Sequence, residues 1–136
     1  MISVLMVSWD KHFFKGLETV FTANKIDSKW SDTGAGALSM LEENNPELIL
    51  PELILIDEKL PDMTGRQFIE QVVQINPAID CVVASGLSQK DFHQTYEGFG
   101  VLMQFPVRIG LNQGQMLLEH LKKIQDLQVN INKIGA

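Results

Sequence analysis

Cysteine is nearly missing from this chain: Cys81 stands alone, so no internal disulfide can form, and no Cys/His set with zinc spacing is present. Basic residues are scarce as well. Lys and Arg number 11 against 17 Asp and Glu, a net charge of −6, which opposes direct nucleic-acid binding because that needs basic surface to displace phosphate counterions. Long apolar runs are lacking too. No stretch approaches the ~18–20 residues of a membrane span, and Met1–Asp10 has neither the charged start nor the cleavage site of a secretory signal. These absences fit a reducing compartment, the cytoplasm. What is present is a 136-residue chain with 45% hydrophobic residues, enough for one domain that buries roughly two-thirds of its unfolded surface.

The apolar residues fall into two alternating patterns. Ile2-Ser3-Val4-Leu5-Met6-Val7, Leu53-Ile54-Leu55-Ile56 and Cys81-Val82-Val83-Ala84 are nearly continuous apolar runs, the pattern of strands covered on both faces of a parallel sheet. Ile26–Ser31 and Val101-Leu102-Met103 complete a set of five strands. Between them lie amphipathic stripes: Phe13, Leu17, Val20 and Phe21; Leu38 and Leu41 behind a capping Thr33; Phe68, Ile69, Val72 and Val73 ahead of Pro77; Phe92 and Tyr96 behind a capping Ser88; and finally Leu117, Leu121 and Ile124. Strand and helix alternate five times, which predicts a doubly wound α/β domain over 1–128 with a short tail, 129–136.

Pro46-Glu47-Leu48-Ile49-Leu50 is repeated at once as Pro51-Glu52-Leu53-Ile54-Leu55. Solenoid repeats need ~20 residues or more, so this is a local duplication. The second copy leads into Asp57 and is taken as the strand. The first lengthens the connection before it and offers Leu48, Ile49 and Leu50 as a partner or dimer surface.

Open α/β sheets bind ligands beyond the carboxyl ends of their strands. Those ends bring Ser8-Trp9-Asp10, Asp57, Ser85 and Phe105 to one rim. At this point the chain resembles the receiver domains of bacterial two-component response regulators. Leu55-Ile56-Asp57-Glu58-Lys59-Leu60-Pro61-Asp62-Met63-Thr64-Gly65 is similar to their phosphoacceptor segment, and Val82-Val83-Ala84-Ser85-Gly86 to the strand end that carries a switch hydroxyl. Gly98 through Phe105-Pro106 has the spacing of their fifth strand. The resemblance spans roughly residues 2–127. It implies a five-stranded sheet ordered 2-1-3-4-5, Asp57 as phosphoacceptor, Ser85 as the phosphate-sensing switch, and protein partners: a histidine kinase or phosphotransfer protein and a downstream target. A cis Phe105-Pro106 peptide is frequent in that family and open to any X-Pro bond.

The resemblance also shows what has been replaced. The family's acidic pair, which binds a divalent cation, falls on Ser8 and Trp9; its lysine falls on Phe105 and its switch aromatic on Leu102. Asp10 and Asp57 are the remaining candidates for a metal, with the Lys59 carbonyl beside them. Mg²⁺ wants six oxygens in near-octahedral geometry, so the expectation is no cofactor, or weak Mg²⁺ at most. Phosphoryl transfer relies on positioning and charge neutralisation, and two unit charges 4 Å apart interact by about 4 kcal/mol at an effective dielectric near 20. Losing both cations therefore costs on the order of a thousandfold in rate, unless Lys59 or Lys11 substitutes. Two readings stay open: a receiver phosphorylated weakly or not at all on Asp57, or a phosphorylation-independent pseudo-receiver that binds a protein partner. Trp9 is read either as packing or as a plug that fills the metal pocket and shields Asp57; Asp10 is read as the N-cap of the first helix.

Enzymatic readings fare worse. A dehalogenase-type phosphatase needs a second acid where Lys59 stands, a hydrolase elbow needs glycines flanking Ser85, and Thr33-Gly34-Ala35-Gly36 lacks the third glycine of a dinucleotide loop at Ser39. His12, His93 and His120 show no metal spacing. The expectation is a signalling module that is not an enzyme, with no membrane contact. Homodimerisation is left open. Val129–Ala136 is too short for an output domain, so the chain is expected to act alone or as part of a longer regulator.

Overall fold

A computed structural model describes residues 2–42, 50–110 and 112–123. The elements run β1 (Ser3–Val7), α1 (Lys15–Ala23), β2 (Asp27–Ser31), α2 (Gly34–Glu42), β3 (Leu53–Asp57), α3 (Gly65–Ile75), β4 (Asp80–Ala84), α4 (Gln89–Tyr96) and β5 (Val101–Phe105). A last helix, α5, covers 112–123. All strand pairs are parallel, in one five-stranded sheet ordered β2-β1-β3-β4-β5. That is the expected architecture. The boundary expected at residue 128 lies outside the described residues.

The sheet explains why β1, β3 and β4 read as unbroken apolar runs. Successive side chains point to opposite faces, and each face has its own helices to meet. Leu5, Val7, Ile54 and Ile56 pack with Phe68, Ile69 and Val72 of α3 and Leu38 of α2. Val4, Met6, Leu53 and Leu55 pack on the other side with Leu17 and Phe21 of α1 and Leu117 and Leu121 of α5. Ile124, expected on the inner side of the last helix, lies outside the described residues. Cys81 is inside as well, where burial and then the adjacent Asp80 push its thiol up to about 12.

Local signals set the helix starts. Thr33 accepts a hydrogen bond from the Gly36 amide at 3.0 Å, and Ser88 accepts one from Asp91 at 3.1 Å, as expected of capping residues. Thr64 and Gln67 form a reciprocal capping box that opens α3. The first helix differs from expectation. It begins at Lys15 rather than directly after Asp10, its N-cap position is Phe14 without a side-chain cap, and Phe14 takes the buried position while Phe13 lies half-exposed. Asp10 is therefore not the N-cap; its carboxylate closes a local turn by accepting from the His12 amide at 2.9 Å.

No cis peptide occurs among the described residues, so Phe105-Pro106 is trans. The first copy of the duplicated pentapeptide lies outside the described residues except for Leu50, which is exposed beside Met40 and Leu41 of α2. Its second copy leads into β3, which starts at Leu53, as expected.

Candidate functional site

Three residues just past the strand ends define the rim, and the backbone ladder carries on far enough to fix all three. The Ser8 amide donates to the Ser31 carbonyl, Glu58 to Ala84 and Ser85 to Phe105, each at 3.0 or 3.1 Å. Asp57, Glu58, Lys59 and Ser85 open onto one cavity of about 220 Å³, walled by Phe13 and Val107. Asp57 and Ser85 thus meet at one pocket, as the strand ends imply.

The Asp57 carboxylate is held by neutral donors. Ser8 Oγ donates to Oδ2 at 3.0 Å, and the Lys59 amide donates to Oδ1 at 3.1 Å. Ser8 itself is fully buried. Its hydroxyl accepts from the Asp10 amide at 3.1 Å, and its carbonyl accepts from the Trp30 indole at 3.0 Å. Since Ser8 Oγ already accepts that amide, its own proton is the one directed at Asp57.

Trp9 does not plug this pocket. The residue is 62% exposed, so neither the packing reading nor the shielding reading of Trp9 holds. Phe105 turns into the core with Phe14 and Leu17 and is 1% exposed. Leu102 is half-buried and lines a different groove, between α4 and β5. Lys59 and Lys11 are exposed, and neither pairs with Asp57 among the described residues.

This donor set does not fit a divalent cation. Asp57 offers one carboxylate, the nearest oxygen is a hydroxyl whose proton points at it, and the Asp10 carboxylate is turned to a local amide. Among the described residues no group of three or more His, Cys, Asp or Glu is placed to hold a metal ion. Mg²⁺ is usually held by one or two carboxylates plus waters and phosphate oxygens, and here Asp57 alone offers a carboxylate.

The residue after Asp57 carries a second arrangement that the sequence reading missed. Glu58 Oε1 accepts the Ser85 hydroxyl at 2.9 Å, and Oε2 accepts the Tyr96 hydroxyl at 2.6 Å. Ser85 Oγ also accepts the Leu87 amide at 3.0 Å. The Gln104 amide steadies the same turn by donating to the Ser85 and Leu87 carbonyls at 3.1 and 2.8 Å. Burial first, then the Glu58 carboxylate as acceptor and as a nearby negative charge, push the Tyr96 hydroxyl well above its ordinary value of 10.0. One signal was available: the pair Asp57-Glu58 ends an apolar strand, where neighbouring side chains diverge. That Tyr96 is the acceptor's partner required the fold.

A third carboxylate lies in the loop that follows. Asp62 accepts from the Gly34 and Ala35 amides of α2, both at 2.9 Å. Slight burial pushes its carboxyl up, but the Ala35 and Gly34 donors outweigh it and hold it below the ordinary 3.8.

No protein-family model and no curated protein matches the sequence. Solved structures do. A CheY-like receiver domain protein from Methanospirillum hungatei superposes with a TM-score of 0.76 at 19% identity, over 96% of this chain and 98% of that one. A two-component response regulator from Legionella pneumophila gives 0.76 at 22%, over 90% and 99%. A chemotaxis response regulator of Vibrio cholerae gives 0.73 at 16%, over 91% and 98%. The chain has the fold of response-regulator receiver domains.

Proposed function

We propose that the chain is a receiver module of a two-component signalling system in which Asp57 keeps the phosphoacceptor position but is phosphorylated weakly or not at all, so that partner proteins are recognised independently of phosphate. A histidine kinase or phosphotransfer protein and a downstream target are the partners of this class. The module has no turnover of its own, touches neither nucleic acid nor membrane, and works in the cytoplasm. No described helix is long and apolar enough to cross a membrane.

The observation that carries this reading is the Ser8–Asp57 hydrogen bond at 3.0 Å. It puts a neutral hydroxyl where a cation would have to offset the ~1.5–2 negative charges of a phosphoryl group. Among the described residues no lysine or arginine pairs with Asp57, and charge neutralisation is the main protein contribution to phosphoryl transfer. The test is incubation with acetyl phosphate and millimolar Mg²⁺, followed by intact-mass measurement. The expected spectrum shows mostly unmodified protein after an hour. Stoichiometric addition of one phosphoryl within minutes, lost in Asp57→Asn, overturns the reading.

A further inference from the structure

The carboxylate beside the phosphoacceptor position has a task of its own. Each Glu58 oxygen is occupied by one hydroxyl, and the 2.6 Å contact to Tyr96 has the short length of a charge-assisted O–H···O⁻ bond. A serine hydroxyl has a single proton. Ser85 gives it to Glu58 while its lone pair receives the Leu87 amide, so it has no proton left for an anion on Asp57. Tyr96 extends the chain of bonds outward. Its ring packs against Phe92, with centroids 4.7 Å apart, and lines a groove of about 530 Å³ between α4 and β5.

We propose that Glu58 is the positioning residue of this rim: a built-in anion that holds Ser85 and Tyr96 in one arrangement and thereby sets the shape of the α4–β5 groove without reference to Asp57. The inference deepens the reading above, and rests on it for the meaning of Ser85 as the switch position. The neighbouring geometry is built around this contact. Gly65 opens α3 where any Cβ would stand 2.8 Å from the Tyr96 hydroxyl and 3.3 Å from the Glu58 Cα, so the residue that admits Tyr96 to Glu58 is one without a side chain. Gln104 and Leu87 fix the turn that carries Ser85. Ser85 turning toward an anion on Asp57 would leave a half-buried Glu58 oxygen without its donor and would bring that anion beside a second negative charge.

The chain has a single tyrosine, so replacing it by 3-fluorotyrosine gives one ¹⁹F resonance that reports on residue 96 in the full-length protein. Following its ionisation with pH, Glu58→Gln is expected to raise the phenol dissociation constant at least about tenfold, one pKa unit, and to move the resonance at neutral pH. Asp57→Asn is expected to leave both unchanged. An unchanged ionisation in Glu58→Gln, or an equal change in Asp57→Asn, overturns the proposal. Tyr96→Phe keeps the ring and removes only the hydroxyl; here the Ser85 and Leu87 amide resonances should shift while those of Ser8 and Lys59 stay, and the reverse pattern counts against Glu58 as the link. These outcomes are independent of acetyl phosphate. Rapid labelling of Asp57 would overturn the phosphate-independent reading, whereas the Glu58 variants decide the positioning role in either case.

Discussion

Asp57 and Glu58 are consecutive residues at the end of one strand, and their surroundings differ in kind. Asp57 faces the β1 side, where its donors are a buried serine and a backbone amide. Glu58 faces the α4 side, where each oxygen accepts one hydroxyl and a glycine makes room for one of them. Both carboxylates accept one bond at each oxygen, but the donors to Glu58 are nearer, at 2.9 and 2.6 Å against 3.0 and 3.1 Å for Asp57. A strand end can therefore present two carboxylates of equal charge in different company: one beside a serine and a backbone amide, the other bridging two hydroxyls from separate elements.

The sharpest way to break this contrast is to make the Asp57 side charged. Ser8→Asp places a second carboxylate at hydrogen-bonding distance from Asp57, a repulsion of up to about 4 kcal/mol at an effective dielectric near 20. Urea unfolding in chelator should show a loss of several kcal/mol, partly restored by millimolar Mg²⁺; the natural chain should show no such Mg²⁺ dependence. A variant as stable as the natural chain, and indifferent to Mg²⁺, would mean that Ser8 does not govern the pocket. On the Glu58 side, Gly65→Ala should cost about 1–3 kcal/mol through the overpacking described. Its amide shifts should gather at Glu58 and Tyr96 and spare Ser8; shifts spread equally over both sides would erase the distinction.

The smallest expected effect concerns the third carboxylate, which lies beyond both. Asp62→Asn weakens the cap on α2 and should cost about 1 kcal/mol at neutral pH. Because the folded carboxyl lies below the ordinary 3.8, its contribution is complete above that value and fades as pH falls through the folded pKa. The difference between the natural chain and the variant should therefore shrink in urea titrations carried below about pH 4. A constant difference from pH 7 down to pH 3 would separate the cap from the charge.

Much of the fold was legible because it rests on short-range chemistry. β1, β3 and β4 declared themselves by unbroken apolar runs, Ser88 and Thr33 by their capping chemistry, and the strand order followed from the resemblance. Asp57 and Ser85 were legible as strand ends. Their hydrogen-bond partners were not, since the choice between Asp57 and Glu58 as the acceptor for Ser85 depends on side-chain direction after the ladder ends. Tyr96 looked like one more apolar position on α4, because periodicity records the ring and ignores the hydroxyl. Trp9 was misread for a related reason. An aromatic after a buried strand suggests packing, but the chain turns outward at Ser8, whose amide, carbonyl and hydroxyl are all bonded inward and leave the next side chain facing water.

The Asp62 clasp has a consequence for recognition. By tying the segment after β3 to the first turn of α2, it holds two loops of the rim in register before any partner arrives. Docking there would require little ordering of backbone, so more of the contact free energy is retained as affinity. A partner that recognises this edge meets a finished template.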